Sequence, residues 1–446
     1  MIRFLSVKSF NWFLIGSLLL AGQMIVDIVF KNLFFPFNSY FFYIVILLGI
    51  TGLINYHYLV DSIFAPLLFF AGFYFFLMFT GIYNNETYHY TWLLISELLP
   101  VFVTFLFYSI WIRYRQLINL NSFLKIVLVF ILIAAISSII GLNKYPLAAR
   151  QLAGGLARDG DSSTIDFYKS IGISGYHFFY GLAFSMPAFV MVLKKHWSNG
   201  FQRLLILLYI GITYYAIVKS QMTTALLFAT LNLFFAAMGL KNIRKSLWLW
   251  LFVIGFILFI PNQFYADTVR LVSETVPGET LQKRLFDLSK VIEFADQGLE
   301  GAGTHMERRA ERIPFLLSQF YQSPLIGGGE STGHNFWLDR LSLFGIVGVI
   351  PWVILFYVFI RETKSVINRE YHLYFYLSCF SFVLIGFIKG SGGSLVYFFS
   401  FFMVSAILFL YSSGITLFSS YTAVEINIDI NKKKYPIQPR RHRLLR

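Results

Sequence analysis

Apolar runs of about twenty residues, separated by short polar punctuation, recur along almost the whole chain. A helix of about 20 residues rises about 30 Å, the thickness of a bilayer's hydrocarbon core, so each run reads as a membrane span. The pattern predicts spans at 12–30, 38–57, 62–83, 91–112, 122–141, 173–193, 202–218, 222–240, 246–263, 341–360, 371–388 and 393–413. A tight turn at Lys219-Ser220-Gln221 must separate the 202–218 run from the 222–240 run. The first run follows Arg3 and Lys8, as in a signal peptide. It is longer than a signal core and lacks a small-x-small cleavage site, so it reads as a retained span. The expected fold is an all-α polytopic membrane protein of about 12 transmembrane helices, a single domain over 1–413.

Two polar stretches exceed what a connection needs, at about 142–172 and about 264–335. In the second, Leu285, Phe286, Leu288, Val291, Ile292 and Phe294 recur at helical spacing. Residues 306–329 then read as a helix that begins polar and becomes apolar. Pro314 falls early in it, and Pro324 with Gly327 to Gly329 ends it. A cap of short amphipathic helices lying against the membrane part is expected. The last stretch, 414–446, carries Lys432, Lys433, Lys434, Arg440, Arg441, Arg443 and Arg446 and reads as a basic tail.

Composition sharpens this picture. The chain is 57% hydrophobic and only 13% charged, against roughly a quarter charged in soluble domains, which excludes an ordinary soluble enzyme. The formal charge of +14 does not call for nucleic acid, because it follows the predicted topology. Connections on one side carry Arg113, Arg115 and Lys125; Lys194, Lys195 and Arg203; Lys241, Arg244 and Lys245; and Arg361, Lys364 and Arg369. Short connections on the other side hold at most one basic residue each, such as Lys31, Lys219 or Lys389. By the positive-inside rule both termini are then cytoplasmic and both long polar stretches external. The lone cysteine, Cys379, excludes an intrachain disulfide framework or a thiolate metal cluster.

Candidate chemistry concentrates in the external segments. Arg308, Arg309 and Arg312 fall within little more than one helical turn. They either pair with Glu307 and Glu311 or turn inward to grip an anion such as a diphosphate. Arg150 and Arg158 offer guanidiniums from a different part of the chain, and Arg270 and Arg284 belong to the larger loop. Asp159, Asp161 and Asp166 fit no complete calcium loop, so no metal is expected. His334 is the sharpest candidate: neutral imidazole accepts a proton near pH 7 and suits a hydroxyl nucleophile. Asn335 can hydrogen-bond the ring or a glycan. Asp339 can orient the imidazole if a helix begins at once. Gly345 and Gly348 offer a small face for close approach of another helix. Asp27 and Glu97, the latter followed by Pro100, are carboxylates within spans and support a rival reading as an ion-coupled transporter.

These residues resemble the O-antigen ligase and polymerase superfamily of bacterial envelope proteins. Its members carry His followed by Asn, Ser or Gln, nine residues, then Gly-x-x-Gly. Here His334-Asn335 is followed by Phe336 to Phe344, Gly345 and Gly348. The family's arginine about fifteen residues before a Pro-Leu-x-Gly-x-Gly turn matches Arg309 before Pro324-Leu325-Ile326-Gly327-Gly328-Gly329. Ile313 replaces the usual aromatic after that arginine, and Val349-Ile350 replace the threonines frequent in ligases. Arg150 before Gly154 is a third, looser match.

The resemblance implies a GT-C-like transferase of the bacterial inner membrane, with its site on the periplasmic face and no metal or other cofactor. Its substrate would be an undecaprenyl-diphosphate-linked oligosaccharide and its acceptor a glycan or lipid A–core, possible partnership with a chain-length regulator included. His334 and Arg309 would be catalytic. Arg312, Arg150 and Arg308 would hold the diphosphate, with Asn335, Asp339, Gly345 and Gly348 in support. Polymerisation of O-antigen or capsular repeats is preferred to ligation because the threonines are absent.

Overall fold

The computed structural model describes residues 7–26, 72, 101, 103–108, 111–112, 117–152, 162–239, 262–275, 282–283, 285–286, 289–290, 312–389 and 394–418. Among them the regular structure is helical throughout, with no strand. Six helices are long and apolar enough to cross a membrane: Asn119–Lys144, Tyr176–Lys195, Gly200–Lys219, Phe336–Val366, Arg369–Ile388 and Leu395–Ser412. Leu14–Ile25 and Thr223–Met238 are shorter apolar helices. This is the all-α arrangement that fits a polytopic membrane protein. The expected span 38–57, and nearly all of 62–83 and 246–263, lie outside the described residues. So do the tail beyond 418 and the carboxylates Asp27 and Glu97.

Helices alternate between two ends of the bundle, as the span order requires. At one end the Ser137 hydroxyl donates to the Gly172 carbonyl at 2.8 Å, and the Ser174 amide donates to Ser138 Oγ at 2.9 Å. These bonds fasten the turn before Tyr176 to the last part of the Leu117–Lys144 helix. The Phe336 amide donates to the Lys389 carbonyl at the same end. At the opposite end Lys195 pairs with Glu370 at 3.1 Å, and His196 Nε2 meets Tyr411 Oη at 2.8 Å. Segments 145–152 and 162–175 and residues 335 and 389 therefore share one end. The turn at 219–222 is as tight as expected: Gln221 takes φ 54° and a new helix begins at Thr223. That helix ends near Lys194, whose ammonium donates to the Ala236 carbonyl at 2.8 Å, where the helix C-terminus favours a cation.

The interior is built from rings. Phe336, Trp352, Phe356, Phe382, Tyr397 and Phe401 form one network of stacked and edge-to-face contacts. A π-helical turn, Phe398–Met403, lies within the last span, and Phe399 occupies the space a side chain at Gly181 would need. One polar cluster ties three spans together. Asn232 Nδ2 donates to the Ala183 carbonyl at 3.0 Å, and Ser381 Oγ donates to Asn232 Oδ1 at 2.9 Å. Hydrogen bonds between membrane helices contribute about 0.6 kcal/mol on average and at most about 1.7. Asn232→Leu is accordingly predicted to lower the thermal unfolding midpoint in detergent only modestly. A loss like that of a disrupted core would contradict this assignment.

Candidate functional site

The site is assembled around a broken helix. The run Phe336–Val366 is interrupted at Gly345, which takes φ 61° and ψ −165°, a region open essentially to glycine alone. A break leaves carbonyls of the first half and amides of the second without helical partners. The segment 324–330 enters the gap and supplies them. The Gly328 amide donates to the Ser342 carbonyl at 2.8 Å. The Ile346 and Val347 amides donate to the carbonyls of Pro324 and Leu325 at 3.0 and 3.1 Å. Ser342 Oγ also donates to the Glu330 carbonyl at 2.6 Å.

This approach of backbone to backbone requires glycine on both sides. A Cβ on Gly345 would stand 2.5 Å from the carbonyl carbon and oxygen of Leu325. A Cβ on Gly327, itself at φ +84°, would collide with the carbonyl of Leu343. The structure thus corrects the expectation of a small Gly345–Gly348 face for a neighbouring helix. Gly345 receives the Pro324–Gly329 turn, and Gly348 makes room for the Phe344 side chain of its own helix. Two motifs separated in sequence are parts of one joint.

His334 lies between this joint and the start of the helix. It is half-buried, and the next residue, Asn335, is the N-cap, with the helix beginning at Phe336. The helix therefore begins at once, yet Asp339 does not turn toward the imidazole. Its Oδ2 accepts the Asn335 amide at 2.6 Å, and its Oδ1 accepts the amide and hydroxyl of Thr332 at 2.8 and 3.0 Å. The cause is general: amides of the first turn lack helical acceptors and draw a carboxylate within reach. Asn335 also differs from expectation. Its environment orients Nδ2 toward the carbonyls of Ile388, at 3.1 Å, and His334, at 3.2 Å. Both residues shape the loop that presents His334.

Removing the Asp339 carboxylate would orphan buried donors at about 1–3 kcal/mol each. Asp339→Ala is therefore predicted to lower the unfolding midpoint and to expose the 330–335 loop to protease. An unchanged cleavage pattern would contradict the anchoring role.

Of the expected cations, Arg312 opens the described part of the helix Arg312–Gln322. That helix packs against the broken one, buries Leu316 and sets its Gln319 carbonyl against Gly328. Arg150 ends the one-turn helix Ala148–Arg150, whose alanines are buried, at the same end of the bundle as His334. Arg308 and Arg309 lie outside the described residues, as do Arg158 and Arg284.

One charged residue escaped the sequence reading. Arg340 is buried, with its Cζ 3.4 Å from the Phe336 ring centroid and 4.6 Å from that of Trp352, and Nη1 donates to the Phe336 carbonyl at 2.8 Å. Two aromatic faces stabilise the cation within the helical bundle. The signal was present as an aromatic–arginine pair at i,i+4, but a charge beside an apolar run reads as flank.

Among the described residues no group of three or more His, Cys, Asp or Glu side chains could hold a metal ion. Comparison with protein-family models, curated proteins and solved structures finds no match to this chain.

Proposed function

We propose that this protein is a membrane glycan transferase that moves an undecaprenyl-diphosphate-linked oligosaccharide onto an acceptor hydroxyl at the periplasmic face. Polymerisation of envelope repeat units is the favoured form. The observation that carries this reading is the fixed loop at His334. It is anchored through Asp339, through Asn335 and the Phe336 amide, and through the Pro324–Gly329 segment in the helix break. A loop held from three sides presents a base with little freedom to misplace it, and such positioning is a large part of catalysis. Broken helices also collect at substrate sites in membrane proteins, because irregular backbone there is stabilised by surrounding protein.

In the reaction, the acceptor oxygen attacks the anomeric carbon of the donor sugar. The bond from that carbon to the diphosphate oxygen breaks with inversion, and the acceptor proton passes to His334. Undecaprenyl diphosphate leaves with its electron pair, and Arg309, with Arg308, Arg312 and Arg150, stabilises the charge growing on it. A twelve-span bundle with both termini cytoplasmic would place this chemistry at the periplasmic surface of the inner membrane, within reach of a lipid-anchored donor.

Purified protein supplied with lipid-linked repeat units is expected to produce a ladder of lengths. Product formed only after addition of lipid A–core would instead identify a ligase. Absence of transfer to either acceptor, with ion-driven solute uptake in vesicles, would overturn the transferase reading.

A further inference from the structure

Four arginines carry the diphosphate in the reading above, and a lysine from another span also adjoins the His334 loop. The Phe336 amide donates to the Lys389 carbonyl at 3.2 Å, and Asn335 Nδ2 reaches the carbonyl of the preceding Ile388. Lys389 therefore begins where the His334 loop ends, although 55 residues separate the two in sequence. Its side chain is half-buried, and Nζ stands 5.3 Å from the centroid of the Tyr176 ring.

Tyr176 is itself held in place. It opens the helix Tyr176–Lys195, and the preceding turn is clamped by Ser137 and Ser138. Gly172 permits that clamp: it takes φ +81°, and a Cβ there would stand 2.9 Å from Ser137 Cβ. The Tyr176 ring packs on Tyr180 with centroids 4.5 Å apart. An ammonium is thus kept over a fixed aromatic face beside the anchored loop.

We propose that Lys389 is a diphosphate-binding residue of the His334 site, with Tyr176 as its positioning residue. This rests on the transferase reading and adds to it a ligand contact from the span ending at 388. A compact ammonium with three donors binds phosphate as a point charge, and partial burial strengthens that attraction over its value in water. Tyr176 restrains the flexible stem, so that less freedom is lost when the anion arrives.

The test uses the full chain purified in detergent, with farnesyl diphosphate as the probe, farnesol as the uncharged control and binding read by intrinsic tryptophan fluorescence. Lys389→Met is expected to weaken farnesyl diphosphate binding about tenfold or more, the loss of one charge-assisted contact. Lys389→Arg should remain within about threefold of the wild type, and Tyr176→Leu should fall about threefold. Farnesol binding should be the same in all four proteins. The contact joining Lys389 to the loop is made by its backbone, so Lys389→Met and Lys389→Arg should unfold near the wild-type temperature. Equal binding of farnesyl diphosphate by wild type and Lys389→Met would overturn the proposal, as would a wild type that treats the diphosphate and farnesol alike. If His334→Ala abolishes transfer while Lys389→Met binds normally, the lysine assignment alone fails. If binding needs Lys389 but His334→Ala transfers glycan normally, the diphosphate site stands and the transferase mechanism does not.

Discussion

His334→Ala is expected to reduce transfer from the lipid-linked donor by about 10²–10⁴-fold, the contribution typical of a positioned acid or base. Protein level and unfolding temperature should stay near wild type. The anchors of the loop are Asp339, Asn335 and the backbone of 324–330, and His334 meets Asn335 through its backbone carbonyl, which alanine keeps. His334→Gln offers hydrogen-bonding groups but no base of comparable strength. It should therefore be nearly as slow as alanine if the ring accepts a proton, and much faster if the ring only orients the acceptor. Added imidazole should partly restore the alanine variant by occupying the vacated space. The measurement is the initial rate of ladder formation with purified protein. An alanine variant at the wild-type rate would end the assignment of His334 as the base.

Gly345→Val should damage the fold far more than Gly333→Ala or Asn232→Leu. Valine cannot adopt φ 61° with ψ −165°, and its Cβ would overlap the Leu325 carbonyl and approach the Ile326 amide. The obstacles are backbone atoms, so no rotamer change relieves them. The 324–330 segment would have to leave the break, depriving the Ser342 carbonyl and the Ile346 and Val347 amides of partners. At about 1–3 kcal/mol for each buried group left unsatisfied, the loss is roughly 3–9 kcal/mol, comparable with the stability of a whole domain. Gly333→Ala supplies the comparison. Gly333 also has positive φ, at +67°, but nothing lies within 4 Å of its Cβ position, so only backbone strain of about 1–3 kcal/mol is expected. Thermal unfolding in detergent and protease cleavage between 323 and 335 distinguish the two. Similar behaviour of both variants would mean that the segment does not occupy the break.

The two variants separate the layers of the site. Gly345 acts by holding a loop in place, whereas His334 acts through what that loop presents. The same division shows in Asp339 and Asn335, whose polar atoms face the loop backbone and the neighbouring helix end. A change at either should alter presentation of His334 before it alters chemistry.

Hydropathy alone was enough to locate the spans that the structure describes. The runs 202–218 and 371–388 became Gly200–Lys219 and His372–Ile388, because a stretch of about twenty apolar residues has few alternatives to a helix. Within 306–329 the polar-to-apolar pattern, stopped by Pro324 and the glycines, agrees with the helix Arg312–Gln322; residues 306–311 lie outside the described residues. Hydropathy misjudged the start of the 341–360 run, which the structure begins at Phe336. Asp339 read as a partner of the imidazole and Arg340 drew no reading at all, because a hydropathy average cannot register that one carboxylate binds the amides of its own helix start and one guanidinium lies between two rings. The histidine and both glycine motifs were visible as well, but not their relation. Which backbone meets Gly345, which carbonyl receives Asn335 and which lysine adjoins the His334 loop depend on contacts between segments remote in sequence. Apolar periodicity is a local property and survives in the bare chain; close approach of two backbones exists only once the spans are packed.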